Sequence, residues 1–382
     1  MFVRLPEGQF DEAGRVWKLN KSLYGLKQAP RQWYLKIRSI LQSFGLVQSL
    51  CDSCVFYGQG TNRVILILYV DDGLLMSKSE ENILNFLERL QSKIEIKSGP
   101  LKYYLGLRIE RNSDLDVIIH QEKYIRETLE KFQMTDCKSV SIPIERTIYS
   151  EDNSEPADDK PYRHLIGSLM YLTVCSRPDI TFAVYYLSRF LNKPTKKLWS
   201  AALRVLRYLK GTMKFGIRYS SSETDSYRFY SDSDFASDGT DRKSTSGFLI
   251  YGNNGPIIWS STKQNFTSLS TMEAELASAV ELCRTSIWFK RLLAEVGYEI
   301  RPKILIDNQA TLALLKDQKL HRRAKHIDTR YFFFKEKIED EVVETDYVPT
   351  EENLSDIFTK PLTRDRYQKL RTEIGIKQID KD

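Results

Sequence analysis

Val64–Ser77 reads VILILYVDDGLLMS, an apolar run rich in β-branched residues that stops at two adjacent aspartates and resumes after Gly73. The pattern predicts strand, tight turn, strand, with Asp71 and Asp72 presented at the turn. Adjacent carboxylates repel, so holding them side by side is unfavourable unless a cation neutralises them. Mg²⁺, a hard ion that takes carboxylates and substrate phosphates as ligands, meets that need. The same letters also fit an ordinary exposed turn, because Asp-Asp-Gly is common turn chemistry. Upstream, Leu23–Arg31 reads LYGLKQAPR, where Gly25 permits close backbone approach and Pro30 suits the first turn of a helix. Trp33, Ile37, Ile40 and Leu41 then mark that helix's buried face.

Around this stretch lie 382 residues, room for two to three domains that each bury a core. A hydrophobic content of 41% with 12% aromatics is that of a folded chain. The longest apolar run, Val64–Val70, falls far short of the ~18 residues of a membrane span, and MFVRLPEGQF has no secretory pattern. The expected location is therefore intracellular, in cytoplasm or nucleus, with no membrane partner. A net charge of +6 is compatible with a polyanionic partner without requiring one. Five scattered cysteines argue against a disulfide framework. Cys51 and Cys54 form a C-x-x-C with no second pair, and His120, His164, His321 and His326 lie far off in sequence, so buried reduced thiols are expected instead of zinc.

Two polar stretches, Ser150–Lys160 and Ser220–Ser226, read as solvated linkers. The first segment mixes strand-like and helical patterns; the middle one, about 161–219, is mostly helical. In it Leu198, Ala202, Val205, Leu206 and Leu209 recur at helix spacing, opposite a basic stripe of Arg204, Arg207, Lys210 and Lys214. The last segment opens with strands, among them GFLIYG and PIIWSS joined across Asn-Asn-Gly, a hairpin signal.

That last segment carries a second carboxylate set. Asp232 sits near the end of an opening strand, Asp307 terminates the strand KILI, Glu275 lies on an apolar-faced helix, and Asp356 lies on the final helix. Carboxylates at strand ends and beside core-facing helix positions can converge on one cleft and hold two divalent ions for in-line phosphodiester displacement. Each also has a plainer reading: Asp232 and Asp234 as loop acids, Asp307 as a helix N-cap, Glu275 and Asp356 as solvated helix positions. Ser270-Thr-Met-Glu273 matches a capping box, which gives Glu273 a structural role and leaves Glu275 as the better ligand.

The words SLYGLKQAPRQW (Ser22–Trp33) and YVDD (Tyr69–Asp72), then YSDSDFASD, DRKSTSGF, STMEAEL, IDNQA, KHIDTRYFF and DIFTKPL, are similar to the C-terminal part of copia-type retrotransposon Pol polyproteins, a reverse transcriptase followed by RNase H. The resemblance implies an α+β fold: a partial palm and thumb (1–149), a linker and helical connection (150–225), an α/β RNase H-like domain with a mixed five-stranded sheet (226–368), and a tail (369–382). IGSLMYL and RPDITFAVYYLSRF resemble the connection, and their aromatics are expected in the core. It implies template and nucleotide binding by Tyr24, Gly25, Lys27, Gln28, Pro30 and Arg31. It carries metal-binding and catalytic roles onto Asp71 and Asp72, and onto Asp232, Glu275, Asp307 and Asp356, with Mg²⁺ or Mn²⁺ as cofactor. The implied partners are an RNA–DNA hybrid, an RNA template with DNA primer, and an intact polymerase chain.

In that family a third polymerase aspartate precedes a QPEGF-like segment, here LPEGQF (Leu5–Phe10). The fingers and first palm strand are thus expected to be missing, Asp11 follows the wrong segment, and little DNA synthesis is expected from this chain alone. The loop Val348–Asn353 (VPTEEN) lacks the catalytic-loop histidine of many RNase H enzymes, so another group or water must move the proton. His321–His326, with Arg322, Arg323 and Lys325, reads as a phosphate grip or a solvated charged loop; Arg204 and Arg207 are assigned the same pair of readings. Two functions follow as expectations: Mg²⁺-dependent cleavage of RNA in hybrids, or an inactive retroelement remnant that only binds nucleic acid.

Overall fold

The computed structural model describes residues 2–4, 16–60, 63–112, 114–149, 153–221, 227–239, 241–316 and 328–379. LPEGQF, Asp11 and the cluster from His321 to His326 lie outside these. Two compact units divide between Pro100 and Leu101.

In the first unit β1 (Phe2–Val3) pairs with β2 (Trp17–Lys18). Helix α1 (Ala29–Ser43) carries Pro30 in its first turn, as expected, and buries Ile37 and Leu41 one turn apart. They pack on an antiparallel sheet of β3 (Val47–Gln48), β4 (Val55–Tyr57), β5 (Val64–Tyr69) and β6 (Asp72–Ser77), in that order. Val64 and Leu66 alternate inward on β5, where Phe56 and the Phe86–Leu90 pair of α2 (Glu80–Gln91) complete the core. The predicted hairpin is present, with Tyr69 opposite Asp72.

The second unit holds β7 (Tyr103–Tyr104), β8 (Leu107–Arg111), β9 (Val117–His120), then the helices α3 (Glu122–Lys131), α4 (Tyr162–Cys175), α5 (Thr181–Ser188) and α6 (Lys196–Gly211), then β10 (Phe215–Tyr219). A second strand group follows: β11 (Arg228–Asp234), β12 (Thr245–Gly252) and β13 (Gly255–Lys263). The chain continues through α7 (Thr271–Glu295), β14 (Lys303–Ile306), α8 (Gln309–Lys316), α9 (Asp328–Glu339), β15 (Glu344–Tyr347), α10 (Arg364–Glu373) and β16 (Ile376–Gln378). The mixed five-stranded sheet runs β13-β12-β11-β14-β15, antiparallel among β11–β13 and parallel from β11 to β15. Asn253 and Asn254 both take positive φ (51° and 61°), the type I′ geometry that their sequence predicts for the β12–β13 hairpin.

The packed core does not divide at the boundaries expected from sequence. Ile125, Leu129, Ile144 and Ile148 share one cluster with the helices α4–α6, with Leu249 and Phe358 beside the mixed sheet, and with Leu370 and Ile376. The stretch expected as a tail from 369 supplies the end of α10 and β16, which closes a second, antiparallel sheet β16-β10-β9-β8-β7. Within the linker Ser150–Lys160, Ala157 is fully buried and Pro156 bridges Thr195, because this segment lies over the start of α6. Arg177, an ordinary polar letter in sequence, is wholly buried, while the aromatics Phe182 and Tyr186 occupy the core as expected. The cysteines are free; Cys51 and Cys54, expected as buried thiols, are half-buried, as are Cys137 and Cys175, while Cys283 is buried. No described helix is long and apolar enough to cross a membrane.

Candidate catalytic carboxylate centre

Parallel pairing of β11 with β14 sets Ser231 opposite Ile306, so the next residues, Asp232 and Asp307, fall side by side. Helix α7 crosses this sheet and brings Glu275 to them. One oxygen from each of Asp232, Glu275 and Asp307 lies within 4.8 Å of the others. Glu275 Oε1 accepts from the Ser233 amide (3.1 Å) and hydroxyl (2.9 Å), while its buried Oε2 has no hydrogen-bond partner. The helix itself is started by the predicted cap: Ser270 Oγ accepts from the Glu273 amide at 3.2 Å, and the Glu273 carboxylate accepts from Leu269. The cap reading for Asp307 fails, because Asn308 does that work by accepting from the Thr311 amide.

Asp356 lies on a 3₁₀ helix, Leu354–Phe358, and stands apart from the three-carboxylate cluster. Lys360 Nζ is 2.8 Å from Asp356 Oδ1 and 3.5 Å from Asp232 Oδ2, and Arg366 adds a contact to Asp356 at 3.1 Å. An ammonium thus bridges the fourth carboxylate to the first. Thr359 donates its hydroxyl to Asp232, and Asn353 fixes the segment by donating to the Ser231 carbonyl at 2.9 Å. Sequence reasoning misses Lys360, Arg366, Thr359 and Asn353. The four-residue spacing from Asp356 to Lys360 is the signal that could have found the first of them.

Gly247, opposite Asp232 on β12, lies against this segment. A Cβ there would sit 2.6 Å from Thr359 Cγ2 and 2.8 Å from Phe358 Cβ. Gly247→Ala is therefore expected to cost about 1–3 kcal/mol by overpacking and to displace Thr359 from Asp232. Thermal melting and the metal-induced change in melting temperature check this; unchanged values for both would remove Gly247 from the site's support.

Burial pushes the Asp232 carboxyl up to about 7, against the opposing pull of Lys360. Burial, then the proximity of Asp232 and Asp307, raises Glu275 well above its usual range, and burial likewise raises Asp307. Burial alone would lower the Lys360 ammonium, but Asp232 and Asp356 outweigh it and raise it. Two buried acids and a half-buried third, all with elevated pKa values, and one unpartnered oxygen fit a divalent cation, which would favour their ionised forms.

A carboxyl raised in the folded state stabilises the metal-free protein below its unfolded pKa of about 4. For Asp232 that contribution is lost as pH rises through about 7. Mg²⁺ or Mn²⁺ should accordingly raise the melting temperature more at pH 8 than at pH 6, with proton release on binding. Equal shifts at both pH values would contradict the assignment.

The hairpin carboxylates are placed differently. Asp71 and Asp72 are exposed at the β5–β6 turn, and the described residues bring no third acid to them. Val70 holds φ +57°, strained for a β-branched residue, and its carbonyl accepts from Trp33 Nε1 at 2.7 Å, which ties the turn to α1. Tyr24, Gly25 (φ +90°), Lys27, Gln28, Pro30 and Arg31 are all exposed before and within the first turn of that helix. Three residues of the basic stripe are engaged within the fold: Arg204 pairs with Glu145 (2.6 Å), Arg207 donates to the Lys138 carbonyl (2.7 Å), and Lys210 to that of Cys137 (2.7 Å), while Lys214 lies beyond α6 and is exposed. These contacts fasten residues 137–145 across the helix, which gives Arg204 and Arg207 a structural role.

The second unit is thus an α+β body whose mixed sheet gathers carboxylates at a strand edge, in a chain that also holds an Asp-Asp hairpin unit. Residues 1–146 match the family model of reverse transcriptase (RNA-dependent DNA polymerase). The retrovirus-related Pol polyprotein from transposon TNT 1-94 of Nicotiana tabacum is 38% identical over 98% of this chain, which spans only 29% of that polyprotein. Among solved structures, a foamy viral protease–reverse transcriptase in complex with dsDNA aligns over 88% of this chain and 61% of its own, at 14% identity and TM-score 0.46. A ribonuclease H1, LC11-RNase H1 in complex with RNA/DNA hybrid, aligns over 35% of this chain and 94% of its own, at 11% identity and TM-score 0.28. The chain belongs to the reverse transcriptases of copia-type, retrovirus-related Pol polyproteins.

Proposed function

We propose that this chain hydrolyses the RNA strand of RNA–DNA hybrids with Mg²⁺ or Mn²⁺, as the nuclease part of a retrotransposon Pol polypeptide. The observation that carries this is the convergence of Asp232, Glu275 and Asp307 around an unpartnered buried carboxylate oxygen. Two divalent ions held there would activate water and stabilise the departing oxygen of an in-line displacement. The chain's own residues do the rest. Ser233 fixes one oxygen of Glu275, leaving the other for a ligand. Thr359 and Lys360 orient Asp232, and Arg366 keeps Asp356 beside them. Lys360 keeps some solvent exposure (28%), so its ammonium can also meet a substrate phosphate oxygen. With no histidine in Val348–Asn353, the leaving oxygen takes its proton from water.

In the polymerase region Asp71 and Asp72 would hold the ion for nucleotide addition, with Tyr24–Arg31 facing template and nucleotide. Two exposed carboxylates grip such an ion weakly, so primer extension by this chain alone should be slight. The deciding experiment is cleavage of hybrid labelled on its RNA strand, with Mg²⁺, Mn²⁺ or chelator. Metal-dependent cutting of hybrid but not of single-stranded RNA supports the reading; inertness in every condition leaves a binding protein without turnover.

A further inference from the structure

The fourth carboxylate of the centre is held differently from the other three. Asp356 is buried, and Arg366 Nη2 meets its Oδ2 at 3.1 Å. Its Oδ1 is buried too and accepts no hydrogen bond, although Lys360 Nζ stands 2.8 Å away. That contact is one of charge, without the alignment of a hydrogen bond. The same ammonium lies 3.5 Å from Asp232 Oδ2. A unit positive charge therefore sits between two carboxylates, against an oxygen that lacks a directed partner, as Glu275 Oε2 also does.

The two cations at Asp356 are fixed to different degrees. Arg366 also donates to the Thr350 carbonyl at 2.8 Å and to that of Glu351, so its guanidinium is anchored at three points. Lys360 carries a compact point charge on a flexible stem, and its side chain is 28% exposed, which gives the ammonium a way out. Charge makes that exit matter. When ionised, Asp232, Glu275, Asp307 and Asp356 carry four negative charges, of which Lys360 and Arg366 offset two. One divalent ion at Asp232, Glu275 and Asp307 neutralises the remainder. A second ion then meets a neutral pocket whose free oxygen already faces an ammonium, and like charges in close contact repel strongly where water is scarce.

We propose that Lys360 is a built-in competitor for the second divalent ion: its ammonium fills the position between Asp232 and Asp356, and that ion binds only as the ammonium leaves. The two ions are therefore taken up in order and with unequal affinity, and residue 360 sets the gap between them. A substrate phosphate would draw the ammonium outward, which couples full loading to substrate. The inference rests on the proposed metal centre and adds what governs its loading.

The test titrates the full chain with Mn²⁺ in the absence of nucleic acid, with free ion read by electron paramagnetic resonance. Asp71→Asn and Asp72→Asn are present throughout, so that the hairpin pair does not contribute. With Lys360 in place, one tight ion and a second at least about tenfold weaker are expected. Lys360→Met and Lys360→Gln should each tighten the second ion about tenfold or more, and by more than the first. Lys360→Arg keeps the charge and should keep the gap wide. Adding Asp356→Asn to Lys360→Met should abolish the gain, a dependence that a merely structural lysine would not show. Near-ultraviolet circular dichroism matching that of the parent establishes that each variant folds. Two ions of equal affinity with Lys360 present, or a second constant indifferent to residue 360, overturns the inference. A first ion lost with Asp307→Asn beside such an indifferent second one leaves the metal centre standing and removes only the competitor. A first ion unmoved by Asp307→Asn overturns the centre, and this inference with it.

Discussion

Asp307→Asn should reduce hybrid cleavage by roughly 10³-fold or more, about 4 kcal/mol of transition-state stabilisation. The exchange is nearly isosteric, but it removes one charge from a cluster whose three carboxylates lie within 4.8 Å of one another. Burial and its acidic neighbour Asp356 already raise the Asp307 carboxyl, so the amide should fold at least as well as the acid. The two readouts therefore move in opposite directions: activity falls, while the metal-free melting temperature stays level or rises. The metal-induced rise in melting temperature should shrink as well, because a ligand is gone. A merely structural Asp307 would show the contrary pattern, with melting temperature and activity falling together. Residual cutting at near wild-type rate, with metal response intact, would remove Asp307 from the centre.

Part of that centre is legible in the amino-acid sequence. Asp232, Asp307 and Glu275 stand out because local pattern places them: one near the end of an opening strand, one at the end of an apolar strand, one just past a capping box on a helix with an apolar face. Local signals likewise give the Asn253–Asn254 turn and the Tyr69–Asp72 hairpin, since φ preferences and alternation act over a few residues. What local pattern cannot carry is pairing across long separations. Strand β16 joins β10 some 160 residues earlier, so Ile376 looks like tail until its partner Ile217 is known. The α6 stripe looks solvent-facing in sequence because every third or fourth residue is basic. Arg207 and Lys210 contact backbone carbonyls of a distant segment, which leave no mark in side-chain pattern, and Arg204 pairs with Glu145 of the same segment. Asp356 illustrates the intermediate case: its place in the motif is evident, but the two cations that hold it are not.

The same blindness to distant partners hides Arg177, whose removal should have the largest effect on stability. Its side chain and that of Asp179 have no exposed surface, and they pair through two bonds, Nε to Oδ1 at 2.9 Å and Nη2 to Oδ2 at 2.7 Å. The guanidinium also donates to the Thr212 carbonyl (3.1 Å) and hydroxyl (2.7 Å), while Asp179 accepts from Tyr208 at 2.6 Å. Tyr367 of α10, the helix that carries Arg366, donates to the Asp179 carbonyl at 2.9 Å. Arg177→Met leaves the Asp179 charge buried and unpaired, at an expected cost of about 3–5 kcal/mol. At roughly 2–4 °C per kcal/mol for a unit of this size, the melting temperature should fall by about 10 °C. The double variant Arg177→Met with Asp179→Leu removes both charges and should recover a large part of that loss, a coupling that a double-mutant cycle measures directly. There is a pH signature too. Burial would raise the Asp179 carboxyl, but Arg177 outweighs it and holds it below its usual value. The pair's contribution is therefore present above the unfolded pKa of about 4 and is lost as pH falls through the lower folded one, an acid sensitivity that the double variant should lack. A single variant as stable as wild type, or a double variant no better than the single, would mean that the buried pair does not hold α4, α6 and α10 together.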